Sequence, residues 1–200
     1  HAAARIPQNR LEEIPLDQLV ANGYELPQYT ALFINTDSPK LLKNKVRLGL
    51  SKAIDKDAIL EAIGYKARVD TPLLELNQKD WIYQSNADEA NGALFDAGWP
   101  LAPGAKYRTN EAGETLSLTL LRRDFSEDNM DQEKVASTTA TLIQSQLAKV
   151  GVEVIIESVT KEALDERIQK RDYDLLLYGQ SLGYNLDIFS YWHSSQATAQ

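Results

Sequence analysis

The sequence predicts an α/β fold, and three observations predict it. From residue 115 the pattern runs strand, helix, strand, helix, strand, at lengths that suit a βαβαβ unit of parallel strands. A β-branched and aromatic run, YTALFIN at 29–35, adds a further strand. Helical stretches at 45–63 and 86–97 carry the apolar stripes that cover a sheet. The expectation is a mixed sheet flanked by helices. With 200 residues, 43% of them hydrophobic and 25% charged, the chain has the composition of a globular protein with one full core.

Taken in order, residues 5–28 are polar and broken by Pro7, Pro15 and Pro27, so 1–28 reads as an entry segment and 29–200 as the folded lobe. Asp37, Ser38 and Pro39 end the first strand. In KVRLGLSKAID, Val46, Leu50, Ala53 and Ile54 form one stripe, with Asn44 as the expected cap. Asp55 is placed to cap a second helix, KDAILEAIG, and Gly64 to stop it. Residues 65–84 contain Pro72 and no sustained period, a long irregular connection. The helix from Asn86 to Ala97 stops at Gly98 and Trp99 before Pro100. TLSLTLL at 115–121 alternates as a strand. The next helix lines Val135, Thr139, Leu142, Ile143, Leu147 and Val150 along one stripe and ends at Gly151. VEVIIES (152–158) is the following strand. Thr160 can cap a helix containing the i,i+4 pair Glu166 and Lys170, and YDLLLYG (173–179) is the last strand.

Composition narrows the function. A net charge of −8, with 21 Lys and Arg scattered along the chain, lacks the basic face of a nucleic-acid binder. The absence of cysteine removes disulfides, thiolate nucleophiles and Cys-based zinc sites. No apolar run is long enough for a membrane helix. The start, HAAARIPQNR, has neither an initiator Met nor a signal core, and the expectation is a chain cut from a longer one.

In a parallel α/β sheet, ligands bind beyond the carboxyl ends of the strands, where loops and helix N-termini converge. Three segments leave those ends: Arg122-Arg123-Asp124, Ser158-Val159-Thr160, and Gln180 to Asn185. The third opens with Gly179-Gln180-Ser181-Leu182-Gly183, a match to the nucleophile elbow of α/β-hydrolases. Only seventeen residues follow Gly183, too few for the acid and histidine that such an enzyme carries on later strands. His193 is followed directly by Ser194 and Ser195, and adjacent side chains point apart, so a Ser–His hydrogen bond is hard to make. Asp124, Glu127, Asp128 and Asp131 lack the spacing of a calcium loop and suit the positive end of the following helix. The turn after residue 121 has no glycine to cradle a dinucleotide. Arg122 and Arg123 have two readings on sequence alone, a clamp for a ligand carboxylate or a solvated pair balanced by Asp124 and Glu127.

FINTDSPKLLKNKVRLGLSKAIDKDAIL resembles the start of the C-terminal lobe in family 5 extracellular solute-binding proteins, the peptide- and nickel-binding components of ABC importers. Asn35, Pro39, Val46, Arg47, Leu50, Ala53, Ile54, Asp55 and Ile59 fall on that family's pattern, with Gly49 where Ala is usual and Lys56 where Arg is. NADEANGALFDAGW, GETLSLTLL, LAKVGVEVIIE, RDYDLLLYGQ and DIFSYWHSSQ follow in the family's order, so the resemblance covers residues 29 to about 196. It implies a lobe of the class II periplasmic-binding-protein-like fold, the first lobe being absent from this chain. It also implies a monomeric receptor, periplasmic or extracellular and anchored to the cell envelope. Such a receptor captures a peptide or similar solute between two lobes and passes it to permease subunits, with no catalysis; the residue patterns give no expectation of a cofactor, a metal site or a nucleic-acid partner.

The resemblance places the ligand on Tyr178, Gly179, Gln180, Ser181, Leu182, Gly183, Tyr184, Asn185 and Asp187, with Arg122 and Arg123 contributing. Gly183 stands where peptide-binding relatives carry the aspartate that pairs with a peptide amino group; Asp187 lies four residues on. Main-chain groups of Gly179, Ser181 and Gly183 remain available to a ligand's main chain. The rival functions are a hydrolase using Ser181 and a protein-interaction module.

Overall fold

The structure, a computed structural model, describes residues 26–65, 67–73, 83–182 and 188–189. Its elements run in the expected order: β1 (Gln28–Ile34), α1 (Asn44–Ala53), α2 (Lys56–Ile63), α3 (Ala87–Asp96), β2 (Ser117–Arg123), α4 (Met130–Lys149), β3 (Glu153–Val159), α5 (Lys161–Gln169) and β4 (Leu175–Ser181). The strands form one mixed sheet in the order β1-β4-β2-β3. β2 lies parallel to both β3 and β4, and β1 runs antiparallel to β4 along the outer edge. The βαβαβ unit is therefore β2-α4-β3-α5-β4, with β4 on the opposite side of β2 from β3.

Alternation along the strands separates two apolar layers, because successive side chains leave a strand on opposite faces. Leu118 and Leu120 of β2, Val154 of β3, and Leu175 and Leu177 of β4 face the larger layer, which also takes Val46 and Leu50 of α1, Leu94 of α3, and Ile143 and Leu147 of α4. Leu121 and Leu176 face the other side, where Leu164 of α5 covers them with Phe33 and Ile168.

Capping chemistry sets the helix starts as expected at Asp55 and Thr160, and Asn86 caps α3 as well. The Asp55 carboxylate accepts from Ala58 N, the Asn86 side chain from Asp88 N and Glu89 N, and the Thr160 hydroxyl from Ala163 N. Gly64, Gly98 and Gly151 end their segments with φ of 72°, 92° and 77°, values that a side chain resists. Asn44 departs from expectation. It is the first helical residue of α1, and the cap position is Lys43, whose side chain makes no capping bond. The turn before α1 is held from inside the helix instead, where Arg47 Nη1 donates to the carbonyls of Leu41 (2.8 Å) and Leu42 (2.7 Å).

Two buried polar side chains tie together the helices of the larger layer. Gln146 of α4 grips the main chain at the α1–α2 junction with both ends of its amide, accepting from Asp55 N and donating to Asp55 O. Arg108, only 2% exposed, pairs with neutral oxygens: Nε with Val150 O, Nη1 with Trp99 O, and Nη2 with Asn91 Oδ1. Val150 and Trp99 follow the C-termini of α4 and α3, so the cation sits where helix carbonyls lack partners and the dipoles are negative. Burial lowers the Arg108 pKa from its ordinary value.

The residues that carried the family resemblance hold the frame. Asn35 Nδ2 donates to Arg171 O and Tyr173 O, fastening the end of β1 to the turn before β4. Ser38 Oγ donates to Asp174 Oδ1, while Asp174 Oδ2 accepts from Thr119 N in β2.

Candidate functional site

Because β2, β3 and β4 are parallel, their carboxyl ends Arg123, Val159 and Ser181 lie along one margin of the sheet. Antiparallel β1 brings its first residue to the same margin, Gln28 opposite Ser181. β4 reaches further there than β2 does. Its ladder with β2 covers Leu175, Leu176 and Leu177, opposite Leu120, Leu121 and Arg122, whereas its ladder with β1 continues to Ser181. From Tyr178 to Ser181, β4 thus has a strand on one side only among the described residues.

Parity decides which groups face the vacant side. Asn35 N donates to Asp174 O, and Leu182 N donates to Pro27 O, at the two ends of the β1–β4 ladder. Hydrogen-bonded positions alternate along an antiparallel pair, so Tyr178 and Gln180 turn their N–H and C=O toward β1. Gly179 and Ser181 turn theirs the other way. Gly179 is exposed, and a Cβ on it would meet only Thr30 Oγ1 at 3.7 Å and Tyr29 O at 4.0 Å. The result, among the described residues, is a short β-edge whose main-chain groups at Gly179 and Ser181 have the geometry that β-addition uses.

The side chains expected at the site divide between edge and scaffold. Tyr178, 40% exposed, and Ser181, also exposed, present surface there. Leu182 is buried, and Gln180 is buried with its Oε1 accepting from Tyr29 Oη, a contact that binds the edge to β1. Ser181 sits in extended strand opposite Gln28, not at the sharp strand-to-helix turn that a nucleophile elbow requires. Gly183, Tyr184, Asn185 and Asp187 lie outside the described residues, as do His193, Ser194 and Ser195. Among the described residues no group of His, Asp and Glu is arranged to hold a metal, and no helix is long and apolar enough to cross a membrane.

The two arginines are engaged differently: Arg122 in a nearly buried ion pair, Arg123 in a more exposed one. Arg122 is 7% exposed and forks onto Glu133 in the first turn of α4, Nη1 to Oε2 at 2.9 Å and Nη2 to Oε1 at 2.6 Å. Its Nη1 also donates to Arg123 O at 3.0 Å, and Glu133 Oε2 also accepts from Phe125 N at 2.9 Å. Arg122 holds the Glu133 carboxyl below the usual carboxylate range, outweighing the desolvation that opposes it. Arg123 pairs with Asp128 and lies over the Phe125 ring. Asp124 is occupied locally as well: the Ser126 side chain and amide hold its carboxyl low. Glu133 was missed from the sequence because it lies eleven residues from Arg122, a distance set by the turn into α4.

The family model for bacterial extracellular solute-binding proteins, family 5 Middle, matches residues 2–200, and the chain belongs to that family. Among curated relatives, the oligopeptide-binding protein AppA of Bacillus subtilis (strain 168) is 28% identical over 171 residues, 76% of this chain and 28% of AppA. Its solved structure, in complex with a nonapeptide, superposes with a TM-score of 0.65 at 24% identity, covering 85% of this chain and 34% of that one. NikZ from Campylobacter jejuni, in complex with Ni(L-His), superposes with a TM-score of 0.71 at 24% identity, covering 88% and 34%. The chain thus spans little more than a quarter of the curated relative's length.

Proposed function

We propose that this chain is a ligand-binding lobe of an ABC-importer receptor working outside the cytoplasmic membrane, which captures an extended peptide or similar solute and presents it to permease subunits. The open edge of β4 from Tyr178 to Ser181 carries this reading. An extended ligand lies along it, exchanging main-chain hydrogen bonds with Gly179 and Ser181, in register with the β1–β4 ladder beneath. Specificity then comes from side-chain space, since the main chain of any peptide offers the same groups. AppA, whose solved complex contains a nonapeptide, is the relative that favours a peptide. Ligand contacts shared with a second lobe supply the differential affinity that closes such a receptor. Capture alone is the task, and no bond is made or broken.

Calorimetric titration of the intact receptor with mixed-sequence oligopeptides tests the reading. Binding is expected, and Gly179→Pro is expected to weaken it by about tenfold, because one main-chain bond of about 1–1.5 kcal/mol is lost. Proline is tolerated on an edge whose N–H faces away from its partner strand, so the melting temperature should hold. Silence with peptides alongside binding of a sugar or a metal chelate overturns the peptide assignment.

A further inference from the structure

Among the described residues the β4 edge beyond Leu177 has no partner, because the ladder with β2 ends there. Three main-chain positions fix the parity of β2. Thr119 faces β4, its N–H bonded to Asp174 Oδ2 and its C=O accepting from Asp174 N. Leu116 and Asp124 face β3, through Glu153 N to Leu116 O and Asp124 N to Val159 O. Odd-numbered residues of β2 therefore turn their main chain toward β4. Extended by one step past Leu177, a parallel ladder would give the Arg123 carbonyl to Gly179 N–H and the Phe125 N–H to Gly179 C=O.

Both of those groups are engaged elsewhere, and by one ion pair. Arg122 Nη1 takes the Arg123 carbonyl, and Glu133 Oε2 takes the Phe125 N–H. The pair is nearly closed to solvent, with side-chain exposures of 8% and 17%. The loop it holds is folded on itself by Asp128 N and Asn129 N donating to Phe125 O, with the Asn129 side chain capping α4 through Gln132 N.

We infer that Arg122 and Glu133 are positioning residues that keep the ligand edge open by diverting two main-chain groups, the Arg123 carbonyl at the end of β2 and the Phe125 N–H just beyond it, that would otherwise close on Gly179. The role in ligand binding rests on the β4 edge being the ligand site, whereas the diversion itself does not. Arg122 accordingly acts on a ligand through the strand it restrains, without touching it.

The test is amide hydrogen exchange, followed by NMR on the ligand-free, 15N-labelled chain. Variants are Glu133→Leu, Arg122→Met and the double variant Arg122→Met/Glu133→Leu. The double variant replaces the buried pair with apolar groups of similar size and leaves no unpaired buried charge, so it folds even where a single variant fails. Arg167→Met is the control, breaking a pair with Glu157 on the other face of the sheet. In wild type and control the Gly179 amide is expected to exchange as an unprotected group. In the folded variants it should slow by at least about tenfold as β2 pairs onward with β4. A strut whose loss only loosens the loop would speed exchange at Asp128 and Asn129 and leave Gly179 unchanged. That result, or a Gly179 amide already protected in wild type, overturns the inference. No ligand enters this measurement, so a failed peptide titration and a failed exchange experiment remain separate outcomes.

Discussion

Gly49 of α1 lies so close to α3 that an added Cβ would sit 2.6 Å from Leu94 Cγ and 3.2 Å from Ala90 O. The family's usual alanine is thus excluded here by the leucine opposite. Gly49→Ala is expected to destabilise by about 1–3 kcal/mol through overpacking, and Gly49→Ala/Leu94→Val to recover most of that loss. Chemical denaturation of the two variants checks it, and a neutral single substitution contradicts the packing. The departure at Gly49 was visible in the sequence, but its cause was not, since Leu94 reaches it only through tertiary packing. Asn44 teaches the same limit at a helix start. Its residue type suited a cap, yet Arg47 fixes the turn through carbonyls on the far side of it.

Elements were legible where a period and a stop signal coincided. The β2-α4-β3-α5-β4 run was readable because alternating strands, a helical stripe and Gly151 followed one another with little ambiguity. What the pattern withheld was pairing length. Nothing in LLLYGQS says that its first residues have neighbours on both sides and its last on one. Arg122 and Arg123 were likewise legible as charges at a strand end, while their partners Glu133 and Asp128 depended on the loop's closure. Arg108 gives a prediction at this scale, because it joins the ends of α3 and α4. Arg108→Met leaves three buried oxygens without a donor and is expected to cost about 2–4 kcal/mol, read as a lower melting temperature.

The whole molecule responds to acid through its paired carboxylates. Glu133 is held low by Arg122. For Asp70, burial pushes the carboxyl up, but Arg68 and Lys56 outweigh it and hold it below its ordinary value. A carboxyl depressed in the folded state stabilises the fold above its unfolded pKa, near 4, and loses that contribution as pH falls through the folded value. The stability curve should therefore fall on its acid limb, and Glu133→Gln should flatten that limb relative to wild type. Denaturant midpoints measured between neutral pH and pH 3 check the sign, and an unchanged acid slope contradicts it.

The sheet also has an order in time. Among the described residues β1 is joined in the sheet to β4 alone, and Tyr29 meets Gln180 across 151 positions of sequence. A ladder of such separation carries a greater loop-closure cost than a local one and is expected to form after the β2-α4-β3 crossover has condensed. Without β1 beside it, β4 from Tyr178 to Ser181 has no neighbouring strand among the described residues. The proposed ligand edge thus depends on a contact between segments far apart in sequence, and a lobe in which β1 has yet to dock lacks the strand that backs it.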